Sequence, residues 1–162
     1  MEGKPRLAAQ DAIRAMDDLI ATSVIGQQEF ARKLGVSVTD LICFAYVLEA
    51  RDAPPTAGQL AERAHVTTGA VTGILNRLER AGFVTRCPDP ADRRRVRVTA
   101  VPDAAARVEA LYVPYYVRLT ELFTRYAPDE TAVIADWFQR AAALARDYLE
   151  ESCADPATEP PE

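Results

Sequence analysis

Apolar residues recur at every third or fourth position over long stretches of the chain, which is the period of an α-helix. The pattern predicts a long first helix from Leu7 to about Leu34, which the segment Gly35-Val36-Ser37 ends. Thr39 can cap a second helix that runs through Leu48. Because its stretch LICFAYVL is apolar nearly all round, we expect this second helix to be buried.

The same helical period returns in the C-terminal third of the chain. It predicts a fifth helix from Asp103 to Tyr126, in which Pro114 removes a backbone hydrogen bond and predicts a bend near Val113. A last helix is expected from Ala127-Pro128-Asp129-Glu130 onward, since proline suits the first turn and acidic residues suit its positive end. The acidic, proline-rich segment 152–162 is expected to be disordered.

Between these regions the chain carries the signals of two short helices joined by a tight turn. Thr56 and Gln59 have the spacing of a capping box, which starts a short third helix. After the turn 65–67, Thr67 is the expected N-cap of a fourth helix, and Gly82 stands at the C′ position after its end. The arrangement predicts a helix-turn-helix.

Two stretches with the pattern of β-strands follow the fourth helix. They read FVTRC (83–87) and RVRVT (95–99), and the intervening PDPADRR contains turn-forming proline and aspartate. We therefore expect a β-hairpin whose tip and return strand carry the arginines at 93, 94, 95 and 97.

Charge is distributed unevenly along the chain, whose formal net charge is −5. Residues 56–99 hold eight arginines and four acidic residues, a net charge of +4, whereas the rest of the chain holds 11 basic and 20 acidic residues, a net charge of −9. A basic segment within an acidic chain favours a polyanion such as DNA as the partner of that segment. A solvated charged surface is the alternative, and charge alone does not decide between the two.

The fourth helix has two different faces. Val71, Leu75 and Leu78 share an apolar stripe, whereas small or polar residues line another side: Thr68, Gly69, Thr72, Gly73, Asn76 and Arg80. The small residues leave room for a close approach to a groove, and Asn76 and Arg77 supply longer hydrogen-bond donors. A helix of this kind suits the major groove of DNA.

Residues that support catalysis or metal binding are sparse. His65 is the only histidine and the three cysteines lie far apart, so no disulfide framework, metal site or nucleophile-base pair is indicated. We expect a protein that is not an enzyme, needs no cofactor and does not switch through cysteine oxidation. No apolar run has the length of a membrane span and the N-terminus lacks a signal-peptide core, so we expect a cytoplasmic protein without a membrane partner.

The segment AGFVTRCPDPADRRRVRV (81–98) resembles the wing of the MarR family of transcriptional regulators. It has the helix-ending glycine, Arg86, the Asp92-x-Arg94 element and a following strand, and the long helices on both sides resemble the family's dimerisation region. The resemblance implies a mainly α fold with a small β-hairpin wing, in which a winged helix-turn-helix is flanked by long dimerisation helices. It divides the chain into N-terminal helices (1–53), a DNA-binding module (54–101), C-terminal dimerisation helices (102–151) and the tail (152–162).

The same resemblance assigns site residues position by position. On the DNA side of the helix-turn-helix it places Thr67, Thr68, Gly69, Thr72 and Arg77, to which the pattern of the fourth helix adds Asn76. Arg94 would enter a minor groove and Asp92 would orient the wing. Arg93 and Arg95 add positive charge to the same segment and are also expected to bind DNA.

The function implied is that of a sequence-specific regulator that binds a pseudo-palindromic site on double-stranded DNA as a homodimer, and we expect a ligand-responsive repressor. A pocket for a small aromatic or lipophilic effector is expected where the proline bend opens the packing of the first, second and fifth helices, lined by Met16, Ile20, Phe44, Tyr112 and Tyr116. Core or interface packing is the alternative role of the tyrosines. For the whole chain, the alternative is a winged-helix module that binds other proteins and no specific DNA.

Overall fold

A computed structural model describes residues 3–50, 53–89, 92 and 95–154. In chain order these form α1 (Gly3–Leu34), α2 (Val38–Glu49), α3 (Ala57–Arg63), α4 (Thr68–Arg80), β1 (Val84–Pro88), β2 (Val96–Ala100), α5 (Pro102–Phe123) and α6 (Pro128–Ala154). β1 and β2 pair as an antiparallel hairpin in which Arg86 lies opposite Val98. The predicted fold class, a mainly α chain with a small hairpin after a helix-turn-helix, is confirmed.

The chain divides into two compact units, residues 1–113 (unit 1) and 114–162 (unit 2). The division falls inside α5, at the proline that interrupts the helical pattern. The four-part functional division predicted from the sequence and the bend near Val113 stay predictions. Within the described residues, no helix combines the length and the hydropathy that a membrane span requires.

The helix-turn-helix begins and ends where the sequence predicts. Thr56 caps α3 in a reciprocal box: its Oγ1 accepts from the Gln59 N–H at 3.3 Å, and Gln59 Oε1 accepts from the Thr56 N–H at 2.9 Å. Thr67 Oγ1 accepts from the Ala70 N–H at 3.2 Å and caps α4. Gly82 follows α4 with a φ of 72°, as expected for a C′ glycine. Short local signals therefore fix the ends of both helices.

The start of α2 corrects the expectation for Thr39. The N-cap is Ser37, whose Oγ accepts from the Asp40 N–H at 3.1 Å while Asp40 Oδ2 accepts from the Ser37 N–H at 3.3 Å. Thr39 lies inside the first turn. The reciprocal box at Ser37 satisfies two helix-end donors, which Thr39 is unable to do because Ile42 stands three residues after it.

The ends of the long helices also differ from the predicted ones. α1 begins at Gly3 and not at Leu7. Pro5 does not prevent this, because a proline is tolerated in the first turn of a helix. α5 ends at Phe123 and not at Tyr126, since the N–H groups of residues 124–126 bond three residues back and tighten the chain. α6 continues through Ala154 into the predicted disordered tail, of which residues 155–162 lie outside the described part of the chain.

Three helices of unit 1 end in the same backbone motif. One or two residues after the end of each helix a residue is left-handed, and its N–H and that of the next residue bond back to the last turn, as in the Schellman motif. The left-handed residues are Gly35 (φ 71°), His65 (φ 51°) and Gly82 (φ 72°). After α3, the His65 N–H donates to the Glu62 carbonyl at 3.2 Å and the Val66 N–H to the Ala61 carbonyl at 3.1 Å. His65 therefore has a backbone role in the turn between α3 and α4.

Replacing His65 by glycine is expected to stabilise the protein by about 0.5–1 kcal/mol, because a residue with a Cβ is strained at positive φ and glycine is not. The free energy of unfolding in urea, measured at one fixed protein concentration, checks this. As a control, Gly82→Ala puts a Cβ at the equivalent position, where it meets nothing within 4 Å, and should destabilise through the backbone alone. Equal stability of His65→Gly and the parent would contradict a strained, left-handed backbone at residue 65.

The core of unit 1 joins α2 to the helix-turn-helix and the hairpin. Phe44 of α2 packs edge-on against Phe83, which precedes β1, with ring centroids 5.2 Å apart. Both side chains are fully buried. The prediction that α2 is a buried helix is confirmed by the burial of Leu41, Cys43, Phe44 and Val47.

Candidate nucleic-acid interface

α4 presents one apolar and one polar face. Its apolar side chains are buried in the core of unit 1: Val71, Ile74, Leu75 and Leu78. Another side of the helix is exposed and carries Thr68, Gly69, Thr72 and Asn76, which we call the α4 stripe. Because α4 is anchored by its buried face, the α4 stripe is a rigid surface of small and medium-sized side chains.

The first turn of α4 leaves backbone donors at the end of the α4 stripe. The first N–H groups of a helix lack partners within it, and the positive end of the helix dipole favours an anion there. Thr67 satisfies one of them by accepting from the Ala70 N–H. Thr72 donates its hydroxyl proton to the Thr68 carbonyl at 2.9 Å, so a methyl group and hydroxyl lone pairs remain for an external partner.

Arg77 of α4 forms an ion pair with Asp40 of α2. Arg77 Nη2 donates to Asp40 Oδ1 at 2.6 Å, and its Nε lies 3.2 Å from both carboxylate oxygens. The Asp40 side chain is 4% exposed, whereas that of Arg77 is 49% exposed. The pair ties α4 to the start of α2, and the predicted contact of Arg77 with DNA stays a prediction.

The Asp40 carboxyl has a shifted pKa. Burial raises it, but hydrogen bonds from Arg77 and Ser37 and the attraction of the Arg77 charge outweigh burial, so the pKa of Asp40 lies below its ordinary value. Asp40 is therefore ionised at neutral pH although it is buried, and Arg77 and Ser37 both stabilise its charge.

Cys43 lies on the buried side of α2, close to Asp40. Burial raises the pKa of its thiol, the Asp40 charge raises it further, and Arg77 opposes both. A protonated, buried thiol reacts poorly with oxidants, which supports the expected packing role. Among the described residues, no group of three or more histidine, cysteine, aspartate or glutamate side chains could hold a metal ion.

A second ion pair with a buried carboxylate braces the loop end of the hairpin. Arg97 of β2 donates from Nε to Asp89 Oδ2 at 2.7 Å and from Nη1 to the Pro54 carbonyl at 2.8 Å. Beside it, the Val98 N–H donates to the Pro55 carbonyl at 2.9 Å. The segment before α3 therefore runs alongside β2 and fixes the direction of the hairpin relative to the helix-turn-helix.

The hairpin loop is held by its own backbone. The Asp89 N–H donates to the Arg95 carbonyl and the Arg95 N–H donates to the Asp92 carbonyl, both at 2.9 Å. Arg95 is exposed where the loop meets β2. Arg93 and Arg94 lie outside the described residues, so their predicted contacts with DNA and the orienting role of Asp92 stay predictions.

Ion pairs cancel much of the positive charge that the sequence concentrates in residues 56–99. The paired arginines are Arg63 with Glu49, Arg77 with Asp40, Arg86 with Glu79 and Arg97 with Asp89. Of the arginines that the structure describes in this segment, Arg80 and Arg95 lack a carboxylate partner, and Arg80 donates from Nε to the Asn76 carbonyl at 3.1 Å. These two have charge available for phosphates.

The roles of two carboxylates that shape this surface were not predicted from the sequence. Asp40 and Asp89 are buried, and each neutralises an arginine that counted as available positive charge. Ser37, three residues before Asp40, is a local signal for a capping box and could have revealed the first. The pairing of Asp89 with Arg97 could be recognised only from the strand register. That register sets Pro88 opposite Val96 and so brings Asp89 close to Arg97.

The residues predicted to line an effector pocket have different surroundings. Phe44 is fully buried, and Tyr112 packs edge-on against an aromatic ring of α1 with centroids 4.8 Å apart. Met16 and Ile20 are partly exposed on α1, and Tyr116 belongs to unit 2. A groove of about 390 Å³ lies between the end of α2, β2 and the start of α5, and none of the five lines it. The predicted pocket stays a prediction.

Comparisons with known sequences find transcriptional regulators. The sequence model of the MarR family matches residues 48–96, which hold the helix-turn-helix and most of the hairpin. The chain is 32% identical over 139 residues to the HTH-type transcriptional regulator YcgE of Bacillus subtilis, covering 86% of this chain and 89% of that protein. It is 26% identical over 102 residues to the HTH-type transcriptional repressor YetL of the same organism, covering 60% of this chain and 61% of YetL.

Solved structures share the fold. FabT of Streptococcus pneumoniae, solved in complex with DNA, has a TM-score of 0.69 at 20% identity, covering 86% of this chain and 99% of FabT. Apo MarR of E. coli has a TM-score of 0.57 at 24% identity, covering 79% of this chain and 94% of that one. A MepR mutant of S. aureus bound to an oligodeoxyribonucleotide has a TM-score of 0.57 at 17% identity, covering 84% of this chain and 97% of the MepR chain. At these identities the likeness is one of fold.

Proposed function

Because the chain belongs to the MarR family of transcriptional regulators, we propose that it binds specific sequences of double-stranded DNA as a homodimer. The proteins of this family are regulators and not enzymes. The proposal extends to repression from a pseudo-palindromic operator, to release by a small aromatic or lipophilic effector, and to a cytoplasmic location beside the DNA. The observation that carries it is the exposed α4 stripe, held from behind by a buried face and accompanied by a hairpin with an exposed arginine.

The geometry of unit 1 supports duplex DNA as the partner. α4 has 13 residues, which makes it about 20 Å long, and the major groove admits a helix. The α4 stripe carries no acidic side chain, and the hairpin beside it is braced in one direction by Arg97. FabT and MepR, which share the fold, were solved with DNA, and this supports the same kind of partner here.

Exposed apolar faces support a second copy of the chain as a partner. In α1, Ile13, Ile20 and Val24 share one face and are each about half exposed. In unit 2, one face of α6 exposes Val133, Trp137, Leu144 and Tyr148. Extended apolar faces on a monomer mark interfaces, and a symmetric dimer covers both copies of each face.

Repression and ligand response are the finer parts of the proposal. The similarity to YetL, a repressor by name, supports repression. Ligand response is tested with planar phenolic compounds: they should raise the melting temperature and release DNA, and Tyr112→Ala should abolish both effects. The same responses in parent and variant would place the effector elsewhere.

The experiment that tests the proposal is selection from a pool of random duplexes with the full chain, followed by binding titrations on an enriched duplex and its scrambled version. A regulator of this family should enrich a sequence with two-fold symmetry. The second candidate, a winged-helix module that binds proteins, predicts weak binding that is equal for all duplexes.

Changing Arg95 to alanine is expected to weaken binding to every duplex by a similar factor, because an exposed arginine on the hairpin contacts phosphate and not base edges. The slope of log affinity against log salt should fall by about one unit per protomer. Titrations on operator and scrambled duplexes at several salt concentrations measure it. Arg118→Ala, an exposed arginine of unit 2, is the control and should leave the slope unchanged. An unchanged slope for Arg95→Ala would make the hairpin loop a solvated surface.

A further inference from the structure

The α4 stripe lacks the side chain that most often selects guanine. Arginine or lysine reads guanine by donating two hydrogen bonds to its O6 and N7 atoms. The α4 stripe holds neither, and the central arginine of the helix, Arg77, is bonded to Asp40. Drawing Arg77 into a groove would leave the buried Asp40 carboxylate without its positively charged partner, which is a costly state. Arg80 stands in the last turn of α4, one turn beyond Asn76, and its Nε donates to the Asn76 carbonyl at 3.1 Å.

The side chains that remain suit A·T pairs. Asn76 is exposed, and within the described residues its side-chain amide has no hydrogen-bond partner, so it can pair with N6 and N7 of adenine. Thr72 has committed its hydroxyl proton to the Thr68 carbonyl, which leaves its methyl group as a contact for the methyl group of thymine. Thr72 and Asn76 are four residues apart and therefore adjacent on one face of the helix.

We propose that α4 recognises A·T pairs in each half-site, with Asn76 on an adenine and Thr72 on a thymine methyl group. Arg77 then serves as a positioning residue that holds α4 against α2 and contributes no base contact. This inference rests on the proposed function, because it names the base pairs that the same surface selects.

Atom-by-atom changes in an enriched duplex test the assignment. Uracil in place of one thymine per half-site removes only the methyl group, and should weaken binding of the parent about fourfold per half-site. Thr72→Ser keeps the hydroxyl and removes the protein methyl group, so this variant should no longer distinguish thymine from uracil at that position. Thr120→Ser is the matched control, because Thr120 also donates its hydroxyl to the carbonyl four residues earlier, at 2.9 Å.

A second substitution tests Asn76 in the same way. Replacing one adenine per half-site by 7-deazaadenine removes the N7 acceptor and should weaken binding of the parent about tenfold. Asn76→Ala should bind the two duplexes equally and accept any base pair at that position, whereas Gln139→Ala, on the exposed surface of α6, should behave like the parent. Equal melting temperatures of the variants and the parent exclude an effect of folding.

The outcomes separate the inference from the function on which it rests. Enriched half-sites with A·T pairs at the positions coupled to Thr72 and Asn76 would support it. Enriched half-sites with G·C pairs at the positions that Asn76→Ala relaxes, or base substitutions whose effect is the same in parent and variants, would overturn the inference alone. A selection that enriches no sequence would overturn the proposed function as well.

Discussion

Replacing Arg77 by methionine is expected to lower the melting temperature by about 5 °C or more at neutral pH. Methionine keeps much of the apolar stem but leaves the Asp40 carboxylate buried without its partner, and an unpaired buried charge is strongly destabilising. Arg80→Met is the control on the same helix, since Arg80 has no carboxylate partner in the described structure, and its melting temperature should stay within about 1 °C of the parent. Thermal unfolding followed by circular dichroism measures both.

The effect of Arg77→Met should depend on pH in a defined direction. The pKa of Asp40 is below its ordinary value in the folded protein, so its contribution to stability is present above that ordinary value, near 4, and is lost as pH falls through the lowered pKa. In the variant, burial is no longer opposed by Arg77 and the pKa of Asp40 rises. The stability difference between parent and variant should therefore be largest at neutral pH and shrink as the pH falls from the raised pKa of Asp40 in the variant to its lowered pKa in the parent. A difference that is independent of pH would show that the ion pair is not its cause.

Replacing Leu144 by glutamate is expected to convert the protein from a dimer to a monomer and to weaken operator binding by about 100-fold or more, because linked half-sites bind far more tightly than separate ones. Leu144 is 71% exposed in the single chain, so a charge there should change the stability of the monomer little. In a dimer that buries Leu144 the same charge would lose its water, which is strongly unfavourable. Sedimentation equilibrium at micromolar concentration gives the assembly, and titration on the enriched duplex gives the affinity.

Gln139→Glu is the matched control for this prediction. It puts the same carboxylate on the polar, exposed side of α6, and it should leave both the dimer and the affinity unchanged. A parent that sediments as a compact monomer, or a Leu144→Glu variant that remains a dimer with full affinity, would contradict the assignment of the exposed apolar faces to a second copy.

The sequence predicts the helix-turn-helix well because its signals are local. Thr56 with Gln59, Thr67, and Gly82 act within one turn of a helix, and each lies where its spacing predicts. Where two residues offered similar local chemistry, as Ser37 and Thr39 did, the prediction was wrong, because the reciprocal bond with Asp40 decides between them. His65 showed no glycine-like signal and was not expected to be left-handed.

The charge of the site is less predictable because it depends on contacts between distant residues. Arg77 and Asp40 are 37 positions apart, and no local pattern links them. Arg97 and Asp89 meet only once the hairpin register is set. Counting charges along the sequence therefore predicts the right region for a nucleic-acid surface but assigns free positive charge to arginines that the fold has neutralised. The apolar face of α6 shows a related limit, since its helical period is clear but the period does not tell whether the chain itself or a partner covers it.

One competition titration tests whether the α4 stripe and the hairpin bind specific duplex DNA. The parent protein, bound to a labelled duplex enriched by selection, is displaced by the same duplex or by its scrambled version at one physiological salt concentration. We expect the enriched duplex to compete at least about 1,000-fold better, with two protomers bound per duplex. Equal competition by the two duplexes would contradict it.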